Sequence, residues 1–187
     1  MKDENLVWEE VSTEHIVQDE WIDFRRSAYR FPDGRIFQPY YSFTRRDYVV
    51  IVASDENGRF VCVRQFRQGI RQVTTEFPAG AIEKKDGSEP SEAALNAAKR
   101  ELREETGYVS DSWKPLLTIP SNATISDNYV WLFAAENCRK VTGQELDEME
   151  LLRVQTYSGT EIDEMLAGGN FQQSVHALAW LLAKQSR

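Results

Sequence analysis

Residues 79–108, AGAIEKKDGSEPSEAALNAAKRELREETGY, decide the fold of this chain. Pro90 suits the first position of a helix, because it lacks the N–H that would have no partner there. Gly107 suits the left-handed residue that ends a helix. The residues between them are rich in Ala, Leu and long charged side chains, which are good helix formers. The stretch therefore predicts a helix from about Pro90 to Thr106.

Three glutamates of this helix, Glu101, Glu104 and Glu105, fall within about 100° of one another on a helical wheel. They share that face with small alanines, whereas Lys99 and Arg103 point the other way. Carboxylates at this spacing repel one another unless a cation lies among them. Mg²⁺ takes carboxylate oxygens and leaves room for a substrate phosphate. The face therefore indicates a Mg²⁺ site, and the alternative is a solvated acidic face paired with neighbouring arginines.

The run Arg100–Tyr108, RELREETGY, resembles the second half of the Nudix box at every specified position, and Gly80 resembles the glycine that opens the box. The family pattern then has five residues and a glutamate, with seven more before the arginine. Glu92 satisfies the second spacing, but 11 residues (81–91) separate it from Gly80, so this loop is six residues longer than the pattern. The resemblance implies that Arg100 braces the catalytic loop against Glu92.

Composition restricts the class of protein. The chain has 187 residues, of which 41% are hydrophobic and 11% aromatic, as expected of a folded domain with a sizeable core. A formal charge of −8 argues against a protein that binds the nucleic-acid backbone. Cys62 and Cys138 are expected to be reduced thiols. Neither a membrane-spanning stretch nor a signal peptide is evident, so we expect a cytoplasmic protein.

The order of predicted elements is typical of an α/β protein. Residues 6–44 alternate polar and apolar positions around the turn Pro32–Arg35, so residues 1–45 are predicted to form a small antiparallel β region. Residues 46–187 predict the main domain, which begins with a central strand over 48–53 and its antiparallel partner over 59–64. Further strands are expected over 113–119, 129–135 and 151–157, with a helix that Thr160 caps and that runs to about Ala167, and a last helix from Gln173 to Lys184. The resemblance implies an α/β/α sandwich of the Nudix type with a mixed sheet.

Two further segments resemble the branch of the family that acts on ADP-ribose and other nucleoside diphosphate sugars. They are Gln65–Arg67 and Glu76–Gly80. The resemblance implies that Arg67 binds the substrate phosphates with its bidentate fork, although a surface arginine at a strand end is the alternative. The resemblance also implies that Glu150, with Glu148 second, is the loop glutamate that completes the metal site or activates the attacking water, and the alternative is a solvated acidic loop.

The candidate site residues follow from these comparisons. Predicted catalytic residues are Glu105, Glu104, Glu150 and Glu148; predicted substrate-binding residues are Arg67, Glu76 and Gly80; predicted metal ligands are Glu101, Glu105, Glu104 and the carbonyl of Ala79. His15 and His176 have no metal-ligand spacing, and His176 is interpreted as a packing residue of the last helix.

The resemblance implies a Mg²⁺-dependent hydrolase, with Mn²⁺ as a substitute ion. It would split the diphosphate bond of ADP-ribose or a related nucleoside diphosphate sugar into a nucleoside monophosphate and a sugar phosphate. Two alternatives stay open: a Nudix hydrolase of nucleoside triphosphates or dinucleoside polyphosphates, and a nucleotide-sugar sensor without catalysis. The many aromatic residues of the N-terminal region, together with the resemblance, imply a homodimer formed through that region. No membrane or nucleic-acid partner is expected.

Overall fold

The computed structural model describes residues 6–148 and 150–186. The chain divides into two compact units, one made of the residues up to Arg46 together with Pro120–Tyr129, and the other of Asp47–Ile119 with Val130–Arg187. Residues 1–5 of the predicted N-terminal region, and Met149 and Arg187 of the predicted main domain, lie outside the described residues.

The first unit is built on a three-stranded antiparallel sheet in the order β1-β2-β3. Its strands are β1 (Glu9–Gln18), β2 (Asp23–Arg30) and β3 (Ile36–Thr44). The predicted turn lies between β2 and β3, where Gly34 has a φ of 89° and donates its N–H to the Phe31 carbonyl. The alternation of polar and apolar residues and the turn residues were sufficient to predict this antiparallel sheet, because both are local signals in the sequence.

The second unit contains an eight-stranded sheet. Its strands are β4 (Tyr48–Asp55), β5 (Phe60–Arg67), β6 (Gln72–Glu76), β7 (Ala79–Ala81), β8 (Tyr108–Val109), β9 (Ser112–Pro120), β10 (Tyr129–Lys140) and β11 (Leu152–Tyr157). The path is β11-β5-β4-β10-β8, with β6 beside β5, β7 beside β4 and β9 beside β10. Because β4 and β10 run parallel while β4 and β5 run antiparallel, the sheet is mixed.

Helices cover both faces of this sheet. The helix α1 (Pro90–Thr106) packs Ala94, Ala97, Ala98 and Leu102 against Val49 and Ile51 of β4. The alternate residues of β4, Val50 and Val52, pack on the other face with α2 (Gly159–Ala167) and α3 (Ser174–Gln185). The fold class is therefore confirmed as an α/β/α sandwich with a mixed sheet and a small N-terminal antiparallel sheet.

The ends of α1 coincide with the prediction. Pro90 is its first residue, and Gly107 adopts a left-handed conformation with a φ of 75° while donating its N–H to the Arg103 carbonyl. The predicted start of α2 was wrong by two residues. Ser158 caps this helix, accepting the Glu161 N–H at 3.2 Å, while the Glu161 carboxylate accepts the Ser158 N–H at 2.6 Å. Within the described part of the chain, no helix is both long and apolar enough to cross a membrane.

Candidate functional site

Three glutamates from two parts of the chain meet at one point. Glu101 and Glu105 lie on α1, and Glu150 comes from the loop that joins β10 to β11. Each offers a carboxylate oxygen, and these oxygens lie within 4.8 Å of one another. Glu101 and Glu105 are buried, and Glu150 is half-buried. The sequence separation of 45 residues between Glu105 and Glu150 is thus closed by the fold.

The surroundings disfavour the ionised forms of these acids. Burial, with a smaller contribution from the neighbouring carboxylates of Glu150 and Glu104, raises the pKa of Glu101 to about 7, against the opposing charge of Arg100. Burial and the charge of Glu101 also raise the pKa of Glu105 well above its usual range. A bound divalent cation would lower the pKa values of both glutamates, because its positive charge compensates the negative charges of the carboxylates. The hard oxygen donors, their mutual distance and their burial therefore fit Mg²⁺ or Mn²⁺.

The main chain of Ala79 and Gly80 lies against the two helical acids. The Ala79 N–H donates to Oε2 of Glu105 at 3.0 Å. Both residues belong to β7, where they pair with Val50 and Val49 of β4. A Cβ atom at Gly80 would overlap the carboxylate of Glu101, so any larger residue at this position would displace that carboxylate. The structure thus places Ala79 beside Glu105, and Gly80 beside Glu101.

Arg100 holds the loop before α1, but not through the predicted partner. Its Nε and Nη2 atoms donate to the two carboxylate oxygens of Asp86 at 2.9 and 3.0 Å, and Nη2 also donates to the Ala81 carbonyl at 2.9 Å. The expected pairing with Glu92 is wrong, because Glu92 is exposed in the first turn of α1. A 3₁₀ turn over Lys84–Asp86 buries Asp86 next to the guanidinium.

Asp86 also clarifies where the longer loop differs from the family pattern. Five residues (81–85) separate Gly80 from Asp86, the spacing that the pattern gives for its first acid. The extra residues therefore follow Asp86 and extend the chain toward Pro90. Although burial opposes its charge, the hydrogen bonds from Arg100 lower the pKa of Asp86 below its usual range. Counting from the glycine instead of from the arginine would have found this residue.

Glu104 and Glu148 lie outside the group of close carboxylates formed by the described residues. Glu104 accepts a hydrogen bond from Nη1 of Arg100 at 3.0 Å, and the same Nη1 donates to Glu101 at 2.7 Å. The side chain of Glu104 is 33% exposed. Glu148 is exposed on the loop that carries Glu150. Of the five nominated glutamates on α1 and this loop, the structure brings three together.

Arg67 and Glu76 form a bidentate pair on the neighbouring strands β5 and β6. Nε and Nη2 of Arg67 donate to Oε1 and Oε2 of Glu76 at 2.9 and 2.6 Å. Glu76 is fully buried and also accepts from the Thr74 hydroxyl and, at 3.3 Å, from the Gln173 amide. Burial alone would raise the pKa of Glu76, but the hydrogen bonds from Arg67 and the other neighbours lower it. The Nε and Nη2 groups of Arg67 are thus occupied by Glu76.

His176 contacts this region from α3. Its Nδ1 accepts the main-chain N–H of Phe77 at 3.1 Å, and its Nε2 lies 4.0 Å from Oε2 of Glu76. The interpretation of His176 as a packing residue of the last helix therefore omitted its polar contacts. No sequence signal could have supplied them, since 99 residues separate His176 from Phe77.

Comparison with known proteins gives consistent results. A family model described as NUDIX domain matches residues 44–178. An ADP-ribose pyrophosphatase of Mycobacterium tuberculosis is 30% identical over 182 residues, which cover 94% of this chain and 82% of that protein. An ADP-ribose pyrophosphatase of Bacillus subtilis is 35% identical over 107 residues, 57% of this chain and about half (55%) of the length of that relative. A solved structure described as an ADP compounds hydrolase superposes with a TM-score of 0.79 at 19% identity, covering 95% of this chain and 92% of the other, which shows the shared fold.

Proposed function

Because the chain belongs to the NUDIX domain family, we propose that it hydrolyses the diphosphate bond of ADP-ribose or a related nucleoside diphosphate sugar in the presence of Mg²⁺. The observation that carries this proposal is the meeting of Glu101, Glu105 and Glu150. The activity named for the two pyrophosphatases supports the choice of substrate.

The ion would be held by the carboxylates of Glu101, Glu105 and Glu150, together with the main chain of Ala79 and, at the margin of the site, Glu104. Mn²⁺ fits the same oxygen donors. When bound, such an ion supplies Lewis acidity that neutralises diphosphate oxygens and acidifies water. The raised pKa values of Glu101 and Glu105 belong to the metal-free protein and fit an arrangement that the ion completes.

The chain's own residues would orient the substrate and move the proton. Nη1 of Arg67 would bind a phosphate oxygen, while Glu76 holds the guanidinium in place through its two hydrogen bonds. The Glu150 carboxylate would accept a proton from the attacking water, and Glu148 is the second candidate for this role. The water oxygen bonds to one phosphorus as the bridging P–O bond breaks. ADP-ribose would thus yield AMP and ribose 5-phosphate.

Arg100 would support the site without touching the substrate. Its hydrogen bonds to Asp86 and to the Ala81 carbonyl tie the segment after Gly80 to α1. Its Nη1 donates to Glu101, and this bond orients the carboxylate that packs against Gly80. Such a brace keeps the donors at fixed positions when the ion leaves.

The first prediction concerns Glu105→Gln. We expect the release of AMP from ADP-ribose to fall by about 10²-fold or more, because a carboxylate donor is lost. The metal-free variant should unfold at a higher temperature than wild type at pH 8, since the amide removes a charge from a buried like-charged group but still accepts the Ala79 N–H. Coupled phosphate release and thermal unfolding with EDTA measure the two effects.

Glu164→Gln is the matched control, because Glu164 is an exposed glutamate on α2 and its replacement removes the same charge. It should leave both quantities unchanged. Wild-type activity in Glu105→Gln would refute the metal site. A panel of nucleoside diphosphate sugars, nucleoside triphosphates and dinucleoside polyphosphates tests the substrate class, and preference for a triphosphate would refute the choice of ADP-ribose.

A further inference from the structure

His176 accepts a hydrogen bond from the main chain that leads to the three clustered glutamates, Glu101, Glu105 and Glu150. The histidine is buried, and so is Phe77, whose N–H it accepts at Nδ1. We propose that His176 is a positioning residue, which through this bond sets the place of Ala79 beside Glu105. The proposal rests on the metal site described above, because Ala79 and Glu105 belong to it. Neither the family pattern nor the spacing of the sequence assigns His176 a role.

The hydrogen bond determines which ring nitrogen carries the proton. A nitrogen that accepts an N–H must be unprotonated, so Nδ1 bears the lone pair and Nε2 bears the hydrogen. Burial lowers the pKa of His176 to about 4, which keeps the ring neutral and Nδ1 available as an acceptor. The Nε2–H group then lies on the side of the Glu76 carboxylate, 4.0 Å away, too far for a hydrogen bond.

The segment Phe77–Ala79 is held by three different elements. The Phe77 N–H goes to His176 on α3, the Pro78 carbonyl accepts the Ile51 N–H of β4 at 2.9 Å, and the Ala79 N–H goes to Glu105 on α1. Proline has no N–H, so Phe77 and Ala79 supply the only main-chain donors of the segment. Loss of the His176 acceptor leaves one of these two donors without its partner in a buried position, where such a group is costly.

Side-chain packing offers a competing explanation for the order of this segment. The ring of Phe77 lies 5.2 Å from that of Phe171 and 6.3 Å from that of Trp180, measured between centroids. Packing of this kind fixes the side chain but provides no acceptor for the Phe77 N–H. The two explanations therefore differ in what they predict for variants that fill the same space with different polar atoms.

Three variants separate these explanations. His176→Asn keeps an acceptor near the position of Nδ1, His176→Gln places its amide near the position of Nε2, and His176→Leu removes both. In the metal-free protein, hydrogen exchange of the Ala79 amide, followed by NMR, should accelerate about tenfold or more in the Gln and Leu variants, whereas the Asn variant should resemble wild type. Mn²⁺ binding by calorimetry should weaken about tenfold in the same two variants.

Ile162→Val is the control for a general loss of stability, because Ile162 lies on α2 and is buried in the same hydrophobic core cluster as Phe77. It should lower the unfolding temperature without changing Ala79 exchange or Mn²⁺ affinity. Unchanged Ala79 exchange in His176→Leu, or equal behaviour of the Asn and Gln variants, would overturn the positioning role. If exchange responds as expected while wild type binds no Mn²⁺, the positioning role stands and the proposed metal site fails.

Discussion

His176 makes the stability of the protein depend on pH. Burial lowers its pKa to about 4 in the native state, whereas a histidine in an unfolded chain titrates near 6.5. Between these values the unfolded chain binds a proton that the native protein does not. The free energy of unfolding must therefore fall as the pH drops from about 6.5 toward 4. One pKa unit corresponds to roughly 1.4 kcal/mol, so the full effect is on the order of 3 kcal/mol.

Urea unfolding of wild type and His176→Asn at pH 7 and pH 5 tests this dependence. From pH 7 to pH 5, the free energy of unfolding of wild type should fall by about 2 kcal/mol more than that of the variant. The reason is that the variant has no group at position 176 that titrates in this pH range. Carboxylates titrate in both proteins and cancel in the comparison. Equal losses in the two proteins would mean that His176 is not buried in its neutral form.

Glu104 shows how far side-chain chemistry could be predicted residue by residue. The helical wheel placed Glu101, Glu104 and Glu105 on one face, and that face does approach the site. A wheel contains no information about neighbours, however, and Arg100 pairs with the half-exposed Glu104. Glu150 was identified only through the family resemblance, because its proximity to Glu105 depends on the fold.

Among the elements, those with local signals were predicted well and those defined by distant partners were not. Pro90 and Gly107 mark the ends of α1, so the sequence sufficed for this helix. The strands β6 and β7 are only five and three residues long, and pairing with β5 and β4 defines them. The 3₁₀ turn that buries Asp86 likewise depends on Arg100, 14 residues away.

The turn before α1 gives a prediction about stability. Asp86→Asn should lower the free energy of unfolding by about 2 kcal/mol, because the buried pair with Arg100 loses its charge and one acceptor oxygen. Glu92→Gln, at the exposed position that the spacing selected, should change it by less than about 0.5 kcal/mol. Urea denaturation with unchanged m-values measures both. A larger effect at Glu92 than at Asp86 would contradict the assignment.

At the scale of the whole molecule, the N-terminal unit exposes several large apolar side chains. Trp8 packs its ring edge-on against Phe31 at 4.4 Å between centroids, which buries part of the aromatic surface. Trp21, Phe37 and Tyr41 nevertheless remain 63%, 45% and 45% exposed. An isolated three-stranded sheet gains little stability from such residues unless another surface covers them. We therefore keep the proposal of a homodimer formed through residues 1–45.

Light scattering tests this assembly. Wild type should have twice the chain mass of 21.6 kDa at micromolar concentration, and Phe37→Lys should shift the protein toward the monomer, because it places a charge in the covered surface. Leu181→Lys is the control, since Leu181 is 48% exposed on α3 of the other unit. It should leave the mass unchanged. A wild-type monomer that retains full activity would refute the dimer.

The close approach of Gly80 to Glu101 has a consequence for the gene as well as for the protein. Every single-nucleotide missense change of a glycine codon encodes a residue with a Cβ atom, and any such atom at position 80 overlaps the Glu101 carboxylate. Every missense change at this codon therefore displaces the Glu101 carboxylate from its place beside residue 80. Position 80 can change only if the side chain of Glu101 moves as well.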